Sequence, residues 1–395
     1  MGMLKTMAQA LKIPDIRKKL IFTILMLVIF RIGSNIPVPG MDRAILADVF
    51  SGGTGLFALF DLFSGGAFGN ATIFAMSITP YINSSIIIQL LTVAIPALER
   101  LAKEGEEGRK RLASWTRYGT VILAFIQATG LYFALRSGLT NSGVVPFILV
   151  TFSFTAGTAF LMWLGEQITE YGVGNGISII IFAGIVSRVP SSVIGLVNNF
   201  KAVQGAQGII SLAAIVIVSA ASILLVVFIN DAERRIPVQY AKRMVGRKMY
   251  GGQSTHIPIK VAMAGVIPII FAMSILSFPQ TIAQFMGKNI QIFNTTSWWY
   301  IVLYFVLIIF FTYFYTAIQF NPIEVANNMK KNGGFIPGIR PGRPTSDYLQ
   351  KKCSRLTMFG ALFLMIIAII PTLLLKVLNI TVLSAFGPTS ILIMI

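Results

Sequence analysis

The sequence predicts an all-α, polytopic membrane protein, and three observations carry that prediction. Hydrophobic residues fill 55% of the 395 positions and charged residues only 12%, a balance far from that of a soluble domain. The apolar residues fall into runs long enough to cross a bilayer, because a helix needs about 20 residues to span roughly 30 Å of hydrocarbon. Finally, 25 of the 32 Lys and Arg residues lie in the N-terminal arm and three polar loops. A membrane imposes that one-sided sorting by retaining basic residues on the cytoplasmic side.

The runs can be counted in order. Nine full spans are predicted near 20–36, 72–95, 117–136, 145–165, 176–190, 208–229, 260–280, 298–319 and 356–375. A tenth begins near Gly387 and the sequence stops at Ile395 within it, which predicts a truncated last span. The first run follows Arg17, Lys18 and Lys19 and then meets Arg31, Gly33, Pro37 and Pro39 instead of a small-residue cleavage site. It therefore reads as a first span, with the arm at 1–19 in the cytoplasm.

Alternation from that start makes the loops near 97–117, 230–260 and 320–355 cytoplasmic. The opposite connections carry few bases: Arg31 and Arg43, Arg136, Arg188 with Lys201, Lys288, and Lys376. One cytoplasmic turn departs from the pattern, since Glu166 to Asn175 has two acids and no base. Its Gly172, Val173, Gly174, Asn175, Gly176 string is predicted to be a helix break. A phosphate-binding loop would need a preceding strand, and none is expected there.

Five spans precede the connection at 191–207 and five follow it. An odd count inverts the second copy, so halves at 20–190 and 208–395 are compatible with an inverted repeat meeting at an external hinge. A lone Cys353 excludes an internal disulfide framework, and one His256 with one Cys cannot build a metal site of several such ligands.

Two features invite a functional reading. The loops at 230–260 and 320–355 are strongly basic, with Arg234, Arg235, Lys242 and Arg243 in the first and Arg340 in the second. Such charge suits a docked polyanion or acidic surface, or anionic lipid head groups. Around Arg340, the turn formers Gly338, Pro341 and Gly342 predict a stiff projecting tip. The other feature is the Gly-rich segment 51–70, which holds Leu56, Phe57, Leu59, Phe60, Asp61, Leu62 and Phe63 and is too short to span. It is either re-entrant, which would imply an interior cavity, or an amphipathic helix on the outer surface.

The stretch Thr79, Pro80, Tyr81, Ile82, Asn83, Ser84, Ser85, Ile86 with Gln89 resembles the second span of the SecY family. The resemblance continues in order through Phe30 to Gly33, Gly174 to Ile185, Arg234 and Arg235, Tyr240 to Arg243, Gln253 to Pro258, Ala264 to Pro268 and Gly338 to Gly342. It implies a protein-conducting channel of ten spans. The segment near 55–67 would be its plug, and Ile82, Ile86, Ile177, Ile181, Ile270 and Ile393 its pore ring. The second and seventh spans, near Thr79 to Thr92 and Val261 to Ser277, would form a lateral gate, with Ser84, Ser85, Gln89, Gln127 and Ser274 tuning its closure. The basic loops would receive the ribosome and the SecA motor, with SecE and SecG as small membrane partners and the bacterial inner membrane as the location.

Chemically the ring makes sense, because Ile82 with Ile86 and Ile177 with Ile181 lie one turn apart on one helix face. A narrow apolar collar can dewet and stop ions while offering no strong bonds to a passing peptide. Without the resemblance, the same pairs would read as ordinary packing. No His-Glu-x-x-His pair, Gly-x-Ser-x-Gly elbow or Walker loop is present, so no enzyme activity and no cofactor are expected. A secondary transporter is the rival on architecture, but the span centres lack the ionisable residues of an ion relay.

Overall fold

In hydrocarbon no water is available to the backbone, so each apolar run satisfies its own N–H and C=O groups by coiling. The structure, a computed structural model, describes residues 12–41, 64–134, 143–202, 206–240, 243–245, 248–250, 254–285 and 297–378. Helix α1 spans Pro14–Gly33 and α2 spans Thr79–Ala94, each with a proline in its first turn, where the missing N–H would be unpaired anyway. At Ile95 the chain bends by 103° into the short α3 (Pro96–Lys103), because the residue before a proline is pushed out of the helical region. Helices α4 (Glu106–Ala134), α5 (Val144–Tyr171), α6 (Gly176–Ala202) and α7 (Ala206–Asp231) follow. After a polar lobe come α8 (Ile267–Phe285), α9 (Trp298–Gln319), α10 (Pro322–Lys331) and α11 (Arg343–Leu378).

Among the described residues, α5, the Trp298–Lys331 stretch and the Arg343–Ile369 part of α11 are long and apolar enough to cross a bilayer. The bent pair α2–α3 is a further candidate, and shorter apolar helices lie in α6, α7 and α8.

Consecutive helices pack in the same order in both parts of the chain. Helix α2 lies on α4 and α4 on α5, while α8 lies on α9 and α9 on α11. Helix α1 leans on α5 and α6, and α8 bridges the two sets by touching α2 and α4. That parallel sequence of contacts is what a duplicated bundle requires.

Several boundaries differ from the sequence-based expectation: α4 starts at Glu106 instead of 117, α5 runs on to Tyr171 instead of 165, and α8 starts at Ile267 instead of 260. The second span begins at Thr79 instead of 72, since residues 64–78 form consecutive turns apart from one bridging residue, with Ala71 and Ser77 at φ +47° and +52°. The fifth does not end at 190: α6 runs through Pro190 to Ala202 and α7 starts at Ala206. The ninth starts at Arg343, because a polar helical extension continues without a break into the apolar run.

The basic loops also carry structure beyond a helical bundle. Strand β1 (Glu233–Tyr240) pairs antiparallel with β4 (Ser254–Lys260), in the register Arg234 to Ile259 and Ile236 to Ile257. The short β2 (Arg243–Val245) and β3 (Lys248–Tyr250) form a hairpin between them. On its other edge β1 takes β5 (Gly334–Phe335), through Gln239 to Phe335 and Tyr240 to Gly334. The two basic loops are thus one lobe, closed over a core of Ile236, Val238, Ile259, Met329, Ile336 and Leu349.

Candidate functional site

Five of the six isoleucines expected to form a ring lie among the described residues, on α2, α6 and α8. Ile86 and Ile181 are buried at 3% and 7% exposure, while Ile82, Ile177 and Ile270 are half-buried. Ile82, Ile177 and Ile181 pack in one apolar cluster with Phe30, Phe74 and Ile78. Ile82 also packs, with Ile86, in a second cluster formed with Ile269, Phe271 and Leu276 of α8. Ile82 therefore belongs to both clusters, joining α2 to α6 on one side and to α8 on the other. Ile393 lies outside the described residues.

Close backbone approaches hold α6 in place. A Cβ on Gly165 of α5 would stand 2.9 Å from Ile177, and one on Gly176 would collide with the Gly165 carbonyl. The glycine string before α6 is a helix break: Gly174 takes φ +70°, and Asn175 Oδ1 accepts from the N–H groups of Ile177 and Ser178 at 3.1 and 3.2 Å. On the acidic side of this turn, Glu166 pairs with Arg117 at 2.7 Å.

The plug positions Leu56, Phe57, Leu59, Phe60, Asp61, Leu62 and Phe63 lie outside the described residues. The chain that follows them is described, and it sits deep in the protein. Ser64, Gly65, Ala67 and Phe68 are buried, and Phe74 stacks between Phe30 and Phe160 at 6.2 and 5.9 Å. Thr72 bridges to Pro37, and Gly157 of α5 abuts the Ile73 carbonyl. Irregular backbone is thus enclosed by protein, the condition under which it is tolerated at membrane depth.

Helix α6 relates this segment to the isoleucines. Ile177, Ile181, Gly184 and Arg188 recur at i, i+4, i+7 and i+11, one helical face. A Cβ on Gly65 would stand 2.8 Å from the Gly184 carbonyl oxygen, so residue 65 lies against that face about one turn beyond Ile181.

The expected gate residues divide between two environments. Ser84, buried at 2%, donates to the Thr116 carbonyl of α4 at 2.8 Å. Gln89 donates to Ser85 on the exposed side of α2 at 3.3 Å. Gln127 and Ser274 are buried at 8% and 7%. Beside Ile82, Asn83 is 1% exposed and both ends of its side-chain amide lack a partner among the described groups, a feature that sequence reading did not single out.

In the lobe, Arg234 and Arg235 are exposed on β1, and Arg235 pairs with Glu233 at 2.6 Å. Arg340 is exposed in the turn before α11, between Gly338 and Gly342 at φ +82° and +102°, and its carbonyl accepts from Thr345 Oγ1 at 2.8 Å. Arg340 thus lies exposed in a turn bounded by two of the expected turn formers. Lys242 lies outside the described residues; Arg243 lies on β2.

Relatives agree with this architecture. The family model described as SecY matches residues 72–395. The protein translocase subunit SecY of Streptomyces coelicolor is 47% identical over 416 aligned positions, covering 100% of this chain and 94% of its own. That of Vibrio cholerae is 45% identical, covering 97% and 89%. Among solved structures, "The structure of a protein conducting channel" superposes with a TM-score of 0.69 at 19% identity, over 100% of this chain and 94% of that one. "Sec61 in the Canine ribosome-channel complex from the endoplasmic reticulum" does so with 0.64 at 18%, covering 100% and 94%. At such identities the superpositions establish the fold, and the near-half identity along the whole length adds the lineage: the chain belongs to the SecY family.

Proposed function

We propose that this chain is the channel-forming subunit of a bacterial protein translocase, passing unfolded secretory polypeptides across the inner membrane and releasing hydrophobic segments sideways into lipid. The observation that carries the proposal is the single face of α6 on which Ile177 and Ile181 are followed by Gly184, with the backbone of Gly65 resting on it. An apolar waist with an irregular segment just beyond it is how a channel can seal without binding its cargo.

In this reading Ile82, Ile86, Ile177, Ile181, Ile270 and Ile393 line the waist, and the segment near 55–67 closes it. The two halves move about the short connection between α6 and α7, and the α2–α8 contact is the lateral gate. The arm and the lobe face the cytoplasm. There Arg234, Arg235, Lys242, Arg243 and Arg340 receive the ribosome or the SecA motor, while SecE and SecG bind in the membrane. The chain performs no chemistry itself; energy comes from the motor or from chain elongation.

Reconstitution into vesicles with those partners tests the proposal. A secretory precursor is expected to become protected from added protease inside the vesicle. Accumulation of a small solute along an ion gradient, with the precursor left outside, would instead identify a secondary transporter.

A further inference from the structure

We propose that Thr23 is a positioning residue: its hydroxyl clamps the turn between α5 and α6 to α1, and so sets where Ile177 and Ile181 stand in the apolar waist. The inference rests on the channel reading above. It starts from a buried polar side chain, 7% exposed, that neither the ring, the gate nor the lobe uses.

The clamp is a relay of two hydrogen bonds. Thr23 Oγ1 donates to the Lys19 carbonyl, one turn back on α1, at 2.9 Å, and accepts from the Val173 N–H at 3.2 Å. One hydroxyl proton and two lone pairs allow both bonds at once. The neighbouring N–H groups find local partners: Gly172 donates to the Ile168 carbonyl at 2.8 Å, and Gly176 donates to Thr169 Oγ1 at 2.9 Å. Val173 instead reaches a helix 150 positions earlier in the chain. Sterics fit the same contact. A Cβ on Gly172 would stand 2.6 Å from Thr23 Oγ1, so glycine there is what lets the hydroxyl reach the next N–H. Beside it, the Phe22 and Tyr171 rings meet edge to face at 6.0 Å.

The clamp matters because the turn is not stiff by itself. Gly172, Gly174 and Gly176 carry the widest backbone freedom of any residue type, and Gly174 sits at φ +70°. Helix α6 starts directly after them, with Ile177 as its second residue and Ile181 one turn further on. On the α5 side, close approach of Gly165 to Gly176 and Ile177 holds the start of α6. Thr23 supplies the tie on the α1 side, and near its other end the same helix adds Phe30 to the cluster containing Ile177 and Ile181. Loss of the hydroxyl frees the turn to shift. The two isoleucines of α6 then shift with it, while Ile82 and Ile86, carried by α2, do not.

The test compares Thr23→Val, which keeps the shape and removes the hydroxyl, with Thr23→Ser, which keeps the hydroxyl. Two quantities are read on the purified channel complex. One is amide hydrogen exchange over residues 172–181, and the other is ion conductance in a planar bilayer while a stalled secretory chain fills the passage. Thr23→Val is expected to speed the exchange about fivefold, the population change that loss of one ordinary hydrogen bond brings, and to raise the leak around the stalled chain by about the same factor. Thr23→Ser should bring both back to within about twofold of the parent. Unchanged exchange in Thr23→Val overturns the clamp. Faster exchange with a parental leak reduces Thr23 to a structural tie and overturns its positioning role. A Thr23→Ser variant that behaves like Thr23→Val assigns the effect to packing and overturns the role of the hydroxyl. Failure of the channel reading shows separately, in the parent: probes at Ile86 and Ile181 that leave the stalled chain unlabelled would overturn that reading, and the waist role with it, whatever the exchange at the turn.

Discussion

Helix α2 is bound differently on its two flanks. Toward α4, Gly119 brings the backbone so near that an added Cβ would strike Ser84, and the Ser84 hydroxyl donates to the Thr116 carbonyl at 2.8 Å. Toward α8, the described contact is apolar, with Ile82, Ile86 and Leu90 packed among Ile269, Phe271, Ala272 and Leu276. Lipid tails are as apolar as these side chains, so exchanging one for the other costs little, whereas close backbone approach and interhelical hydrogen bonds have no substitute in lipid. Under the proposed channel reading, the difference favours the α4 flank as the one that stays shut and the α8 flank as the one that opens.

Substitutions on the two flanks should therefore fail in different ways. The largest effect is expected from Gly119→Leu, which drives a side chain into Ser84 and costs about 3 kcal/mol of stability by overpacking, read as a fall in the thermal midpoint of the purified protein. If the midpoint does not move, the α2–α4 flank is not the rigid one. Next comes Ile86→Asn on the α8 flank. An amide placed in that apolar seam costs the closed state about 2 kcal/mol, and the expected readout is raised ion conductance with little loss of folded protein. Unfolding without conductance would make the seam a structural contact. Ser84→Ala removes one interhelical hydrogen bond, worth about 0.6 kcal/mol, and a thermal shift much larger than that implies would show that the bond carries more of the flank than its geometry suggests. Smallest is Arg117→Ala, since its pair with Glu166 is half-exposed on the arginine side; the expected loss is under about 1 kcal/mol, measured as a double-mutant coupling with Glu166→Gln.

Much of the bundle was legible in the sequence because hydrocarbon selects on length and composition, which a sequence displays directly. The run at 298–319 coincides with α9, Trp298–Gln319. What composition cannot display is backbone conformation within an apolar run. Residues 72–78 are apolar enough to extend a span, yet with Ala71 and Ser77 in left-handed conformations and Pro80 in the first turn, α2 begins at Thr79. Nor can it display pairing at a distance. The Gly65–Gly66 pair reads as a turn, but its partner Gly184 is far along the chain, and the strands that fuse the two basic loops depend on Tyr240 meeting Gly334. The isoleucines are a middle case: spacing places Ile82 with Ile86 and Ile177 with Ile181 on common faces, whereas only the assembled helices bring Ile82 beside Ile177 and Ile181.

Site-specific photocrosslinking to a secretory chain stalled in transit tests the central claim most directly. Probes at Ile86 and Ile181 are expected to label the stalled chain, while a probe at Ile122 of α4, 61% exposed on the outer surface of the bundle, labels lipid alone. Labelling of the chain from Ile122 with none from Ile86 or Ile181 would contradict a path through the isoleucine waist.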